Sequence, residues 1–270
     1  MNKEKIIPIM LDWAGTSNQL LDAKGYKQIS AFFSILKQIG AAAKARPLIC
    51  IISGSSAESS AKRLKKLSAL AAINNMPDAF AGIVAEYCGF YVTTSNIFTL
   101  SSMDDELIRI KPIIQNTINN GKISPDFKTI YNILFDPEMT REEFDSILKD
   151  FQFSLSDGFD ISPYFNEIGK EIDIKLHSIN KASGATMALA KLQNDFSFSE
   201  VIFAGDTPKE DLIMLNAVKD IKKYFICTEP KEFEMSEYNG IALIKPSARN
   251  LQAVIEGLKI IAYEMATTKR

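Results

Sequence analysis

Cysteine, histidine, excess charge and long apolar runs are all scarce in this chain, and each scarcity removes a class of function. The three cysteines are Cys50, Cys88 and Cys227. They are odd in number, lack metal-ligand spacing and have no histidine nearby, which argues against a catalytic thiol. Two lie in apolar strand-like runs, and all three read as reduced core residues of a cytoplasmic protein. No apolar stretch approaches the roughly 18 residues that a membrane-spanning helix needs. Lysines precede an apolar stretch within Met1–Leu11, but Pro8 and Asp12 interrupt it too early for a secretory leader. A buried first strand is expected there instead. The formal net charge of −2 offers no basic surface for nucleic acid. Repeats and low-complexity tracts are missing too. The one basic run, Lys62, Arg63, Lys65 and Lys66, reads as a solvated helix face.

What the chain does have is apolar content: 46% of 270 residues, enough for one large core or two modest ones. Short apolar runs at Ile6–Leu11, Pro47–Ile52, Glu200–Ala204 and Tyr224–Cys227 each predict a strand buried on both faces. Helical patterns separate them. Tyr26–Lys44 carries Ile29, Phe32, Phe33, Leu36 and Ile39 on one side, and Lys209–Val218 carries Leu212, Met214 and Leu215 in register. A last helix is expected over Ala248–Ala266. Strand alternating with helix predicts an α/β fold with a doubly wound parallel sheet. The middle of the chain reads differently. A strand at Phe90–Thr94, a helix at Met103–Asn119, a strand at Thr129–Phe135, a helix at Thr140–Phe151 and a half-solvated antiparallel strand at Ile172–Leu176 predict an inserted α+β module. The expected division is 1–88 with 175–270 for the core and 89–174 for the insertion.

Ligands of such sheets bind beyond the carboxyl ends of the strands, and four strand ends carry functional groups. The first runs into Asp12-Trp13-Ala14-Gly15-Thr16, an aspartate followed by a tight glycine turn. The second ends in Ser53-Gly54-Ser55 before a helix starting near Ala57: a hydroxyl, a close backbone approach and a helix N-terminus facing an anion. Lys181 opens the helix Ala182–Leu192 and adds a positive charge. The fourth ends in Gly205-Asp206-Thr207-Pro208, with Asp211 in the following turn. Carboxylate, hydroxyl, ammonium and carboxylate together suit phosphoryl transfer through a covalent aspartyl phosphate. An anionic nucleophile attacking an anionic phosphate needs Mg²⁺ and a cation. Asp12 and Asp206 supply the oxygen ligands that Mg²⁺ prefers, and Ser53, Lys181 and the helix N-terminus would hold the phosphate.

In these residues the sequence resembles the haloacid dehalogenase superfamily of phosphohydrolases. The superfamily's first motif, Asp-x-Asp-Gly-Thr, falls on Asp12 to Thr16. The second falls on Ser53, the third on Lys181, and the fourth, Gly-Asp-x-x-x-x-Asp, on Gly205, Asp206 and Asp211. The resemblance implies catalytic roles for Asp12, Thr16, Ser53 and Lys181. It implies Mg²⁺ bound by Asp12, the Ala14 carbonyl, Asp206 and Asp211, and phosphate held by Ser53, Gly54 and Lys181. Glu86-Tyr87-Cys88-Gly89 is similar to the Glu-Asn-Gly turn that precedes the cap in sugar-phosphatase-like members. Only 41 positions separate Asp12 from Ser53, so the roughly 90 residues between Gly89 and Lys181 are expected to be that cap. A small phosphorylated metabolite, such as a sugar phosphate, is the implied substrate.

One position departs from the pattern. The superfamily's phosphatases use the second aspartate of the first motif as general acid and base, and here it is Ala14. Proton transfer of that kind is worth about 10²–10⁴-fold in rate. A leaving group that needs no proton, or a donor elsewhere such as His177, would accommodate the alanine. The string Asp-Trp-Ala-Gly-Thr also resembles phosphonoacetaldehyde hydrolases, whose cap and Schiff-base lysine lie between the first and second motifs. With no room for that cap here, Lys122 or Lys128 would have to supply the lysine. The alanine is equally compatible with a pseudoenzyme that binds a phosphorylated ligand without turnover, and with a substitution introduced to trap substrate. Tyr91, Lys128, Tyr131 and Arg141 are candidate cap residues facing the substrate.

Overall fold

The computed structural model describes residues 3–22, 26–100, 105–118, 121–155, 157–166 and 169–268. They divide into two compact units, Met1–Phe98 with Asn180–Arg270, and Thr99–Ile179.

The larger unit begins with β1 (Glu4–Asp12), whose side chains are buried from Ile6 onward on both faces, as a continuous apolar run in a covered sheet requires. Helix α1 (Tyr26–Ala43), β2 (Arg46–Ile52), α2 (Ala57–Ile73), β3 (Phe80–Ala85), β4 (Phe90–Val92) and β5 (Ile97–Thr99) follow. In the smaller unit come α3 (Asp105–Arg109), α4 (Lys111–Thr117), β6 (Lys122–Ile123), β7 (Tyr131–Leu134), α5 (Arg141–Ser154), β8 (Phe159–Phe165) and β9 (Lys170–Leu176). The chain then returns with α6 (Lys181–Asp195), β10 (Phe196–Ser197), β11 (Glu200–Gly205), α7 (Pro208–Asp211), β12 (Lys222–Cys227), β13 (Glu237–Tyr238), β14 (Ile241–Ile244) and α8 (Asn250–Thr267).

The core sheet runs β13-β14-β12-β11-β1-β2-β3-β4-β5. Pairing is parallel from β14 through β12, β11, β1 and β2 to β3, and antiparallel where β4 folds back on β3. One face carries Ile9, Leu11, Ile49, Ile51, Ile202 and Ile226, packed with Phe32, Leu36, Leu64, Val254 and Leu258 from α1, α2 and α8. The alternate residues Met10, Cys50, Phe203 and Phe225 are equally buried, and α6 covers the sheet on that side. The expected doubly wound α/β architecture is present. No described helix is long and apolar enough to cross a membrane.

The smaller unit has its own sheet, β6-β7-β9-β8, with a core of Leu107, Ile114, Ile133, Phe144, Phe151, Ile172 and Ile174. Helix α5 starts at a capping box in which Thr140 accepts from Glu143 N–H while Glu143 bonds back to Thr140.

Several local expectations differ from what is observed. Phe90–Val92 pairs with β3 and lies in the larger unit, so the compact insertion begins ten residues later than Gly89. The helix expected over Met103–Asn119 is split at Ile110, because Pro112 suits only the first turn of a new helix; Met103 and Asn119 themselves lie outside the described residues. The helix expected over Lys209–Val218 is one α-turn, α7, continued by a 3-10 stretch over Leu212–Ala217. Strand β8 carries no clean alternation, so no sequence pattern marks it. It covers one edge of β9, and Ile172–Leu176 is buried throughout rather than half-solvated. There Asp173 is bonded by Asn132 Nδ2 at 2.8 Å, and Lys175 pairs with Asp160 at 3.0 Å.

Candidate active site

The larger unit alone assembles the four strand-end groups. Strands β1, β2 and β11 are adjacent and parallel, so their carboxyl ends present Asp12, Ser53 and Asp206 side by side. Lys181 comes from the first residue of α6, whose N-cap Asn180 accepts from Ser183 N–H at 2.9 Å. The ammonium of Lys181 lies 2.9 Å from Asp12 Oδ1, 2.6 Å from Asp211 Oδ1 and 3.6 Å from Glu210 Oε2. The second oxygen of Asp211 accepts the Thr207 N–H at 2.8 Å. Glu210 joins this cluster, and its only signal in the sequence is its place beside Asp211 in the first turn of α7.

The loop after β1 is held in a sharply specified shape. Ala14 is extended (φ −70°, ψ 140°) and Gly15 is left-handed (φ 63°). A side chain at Gly15 would place its Cβ 2.2 Å from Asp206 Oδ2, so glycine is required both by backbone and by space. The Ser17 hydroxyl donates to the Asp12 carbonyl at 2.6 Å. Thr16 is fully buried, and its hydroxyl lies 2.9 Å from that of Thr228, just past β12. That contact gives Thr16 a part in positioning the loop. Thr228 carries no motif; a hydroxyl at the next strand end of the same sheet is the signal that marks it.

Ser53 is buried, and its Oγ accepts the Ser55 N–H at 3.1 Å, which leaves the Ser53 hydroxyl proton to donate. The Glu86–Gly89 turn supports this loop from behind. Glu86 N–H donates to the Ser55 carbonyl and Tyr87 N–H to the Ser53 carbonyl, each at 3.0 Å. Glu86 and Tyr87 hold positive φ, 50° and 62°, a conformation non-glycine residues adopt only where the surroundings impose it. The Tyr87 ring presses on Gly54, where a Cβ would lie 2.8 Å from the ring.

The electrostatics are those of an anion-lined hole around one ammonium. Asp12, Asp206 and Asp211 offer oxygens all within 4.8 Å of one another. Two full negative charges about 4 Å apart repel by about 4 kcal/mol at an effective dielectric constant of about 20. Burial drives Asp12 well above the usual carboxylate range; Lys181 opposes this, while Asp211 and Asp206 add to it. Asp206 is raised by burial and by Asp211. For Lys181, burial alone would lower the pKa, but Asp12, Asp211 and Glu210 together raise it above the ordinary lysine value. Asp12 Oδ2 is buried with no hydrogen-bond partner among the described residues. Hard oxygen donors, an orphaned buried carboxylate oxygen and mutual repulsion that one ammonium offsets only in part fit a small divalent cation such as Mg²⁺.

The other residues singled out in the sequence have partners within their own units. Tyr91 is buried in the core sheet, its ring beside Gly82 and Cys50. Tyr131 is part of the smaller unit's apolar core. Arg141 pairs with Asp145 at 2.9 Å and lies over the Phe165 ring. His177 Nδ1 is 2.8 Å from Asp160 Oδ1, and its Nε2 bonds the Asp157 carbonyl, the hydrogen-bonded state of a structural histidine. Lys128 donates to the Pro125 carbonyl at 2.7 Å, and Lys122 is exposed on β6.

The doubly wound core with its α+β insertion is a fold that this chain shares with solved structures, among them a phosphatase of the haloacid dehalogenase superfamily. Three solved structures share it over nearly their whole length. The sucrose-phosphatase of Synechocystis, solved with sucrose and phosphate, is 14% identical, with 95% of this chain and 98% of that one covered at a TM-score of 0.55. A superfamily phosphatase from Bacteroides thetaiotaomicron is 15% identical, with 95% of each chain covered at a TM-score of 0.54. Trehalose-6-phosphate phosphatase of Aspergillus fumigatus is 12% identical, with 96% and 93% covered at a TM-score of 0.52. No protein-family model and no curated protein matches the sequence.

Proposed function

We propose that this chain is a Mg²⁺-dependent phosphohydrolase of a small phosphorylated metabolite, acting through an aspartyl-phosphate intermediate, an acyl phosphate, on Asp12. The observation that carries the reading is the unpartnered Asp12 Oδ2, held in a cluster whose other members are a buried lysine and two further aspartates. A buried carboxylate oxygen without a donor is costly to maintain, and attack on phosphorus gives it a use.

Asp12 is the nucleophile. Its other oxygen is fixed by Lys181, so the attacking atom has one orientation. Ser53 and Lys181 bind the phosphate oxygens, with the Gly54 and Ser55 backbone close by. Asp211 orients Lys181 and ties down the Thr207 loop. Asp12, Asp206 and the Ala14 carbonyl would hold Mg²⁺, with Asp211 behind them. The bound ion supplies positive charge that lets an anionic nucleophile approach an anionic phosphate. Two of the similar structures are a sucrose-phosphatase and a trehalose-6-phosphate phosphatase, so sugar phosphates belong in the panel beside other classes of phosphate. The three cysteines are buried and form no disulfide, which suits a cytoplasmic setting.

The test is release of inorganic phosphate from a panel of sugar phosphates, aryl phosphates, acyl phosphates and phosphonoacetaldehyde, with Mg²⁺ or with EDTA. Turnover that needs Mg²⁺ and disappears in Asp12→Asn is the expected result. Stabilisation by phosphorylated ligands without any turnover would instead make the chain a binding protein.

A further inference from the structure

The basic run in α2 is not a uniform solvated face. Lys62, Lys65 and Lys66 are exposed, whereas Arg63 is half-buried. Its guanidinium lies 4.9 Å from the centre of the Trp13 ring, and Nη1 donates to Ser55 Oγ at 2.5 Å. Trp13 directly follows Asp12, and Ser55 donates its N–H to Ser53 Oγ. One side chain thus joins the loop of the attacking carboxylate to the loop of the phosphate-holding hydroxyl. Burial lowers the Arg63 pKa, and no carboxylate among the described residues offsets it. A guanidinium has five N–H donors, and Ser55 takes one.

Two features of the site call for such a group. Lys181 is shared among Asp12, Asp211 and Glu210, so its charge is largely neutralised by the protein. Ala14 provides no proton for a departing oxygen. Resting on the phosphohydrolase reading above, we propose that Arg63 binds the leaving-group oxygen and stabilises it as an anion. The substrates are therefore phosphates whose leaving group departs unprotonated, acyl or enol phosphates rather than alkyl esters. In the first step Asp12 Oδ2 forms a bond to phosphorus as the bond to the leaving oxygen breaks. The electron pair stays on that oxygen, which leaves as a carboxylate or enolate against Arg63. In the second step water attacks the aspartyl phosphate. Asp12 departs as a carboxylate, and both water protons end on the released dihydrogen phosphate. Arginine acts here as a fixed charge with forked donors and keeps its proton throughout.

The experiment measures kcat/KM for acetyl phosphate, glycerol phosphate and a series of substituted phenyl phosphates. The chains compared are the unsubstituted one, Arg63→Gln, Arg63→Lys, Ala14→Asp and Asp12→Asn. Acetyl phosphate is expected to be strongly preferred over glycerol phosphate, with activity falling steeply along the phenyl series as the phenol becomes more basic. Arg63→Gln should steepen that fall, losing about 10²-fold at the basic end and much less at the acidic end. Arg63→Lys should be intermediate, and it carries the test if the glutamine variant fails to fold. Ala14→Asp should raise glycerol phosphate turnover by about 10²–10⁴-fold. Asp12-dependent turnover that is indifferent to the leaving group, or an equal loss on every substrate in Arg63→Gln, overturns the role of Arg63 and leaves the hydrolase reading standing. Absence of Asp12-dependent phosphate release from every compound removes both.

Discussion

Asp12 shows most directly how burial sets up chemistry at a single residue. It sits at the end of the central strand with a few percent of its surface exposed, and burial raises its pKa. In the unfolded chain the carboxyl titrates near about 3.9. Ionisation is therefore penalised in the metal-free folded state only. The penalty is absent below the unfolded pKa, grows as pH rises, and is complete above the raised folded pKa. In EDTA the chain should accordingly lose stability relative to Asp12→Asn as pH rises from about 4 toward 8. Urea unfolding of both proteins across that range checks the sign. A gap that stays constant with pH would mean that Lys181 already satisfies the carboxylate.

At the level of elements, the site depends on how strand ends are tied to one another. Thr16 and Thr228 bridge the loops after β1 and β12 through their hydroxyls, and Thr228 also reaches the Gly15 carbonyl at 3.4 Å. Thr228→Val preserves shape but leaves the buried Thr16 hydroxyl unsatisfied, which should cost about 1–3 kcal/mol. Replacing both threonines by valine should cost less than the sum of the single changes, because neither polar group is then left orphaned. Urea midpoints for the four proteins complete that cycle, and simple additivity would show that the hydroxyl pair contributes nothing.

At the scale of the whole molecule, each unit has a separate apolar core. The smaller unit is a continuous segment, Thr99–Ile179, centred on Phe144, Phe151, Ile172 and Ile174, with its own sheet and a capped helix. Excised as a peptide, it should fold alone with a cooperative urea transition, although its small size keeps its stability to a few kcal/mol. Circular dichroism during urea titration measures this. A broad, non-cooperative transition would mean that its core needs the rest of the chain.

The strands that build the candidate site were legible in the sequence by itself because they are buried on both faces. Such strands must be continuous apolar runs, and β1, β2, β11 and β12 are. Their ends, and so Asp12, Ser53 and Asp206, followed from that reading, and Lys181 from the start of the helix that follows the insertion. The doubly wound fold followed from alternation of strand and helix. Tertiary structure alone decided which polar side chains meet. Thr16 and Thr228 are 212 positions apart, and no local pattern couples them. Arg63 shares its run with three lysines, and its packing against Trp13 and its bond to Ser55 distinguish it. Asp173 and Lys175 occupy alternate positions of a strand that reads as half-exposed, yet both are buried. Hydrophobic period is a local property of a chain, whereas pairing of buried polar groups depends on packing between distant segments.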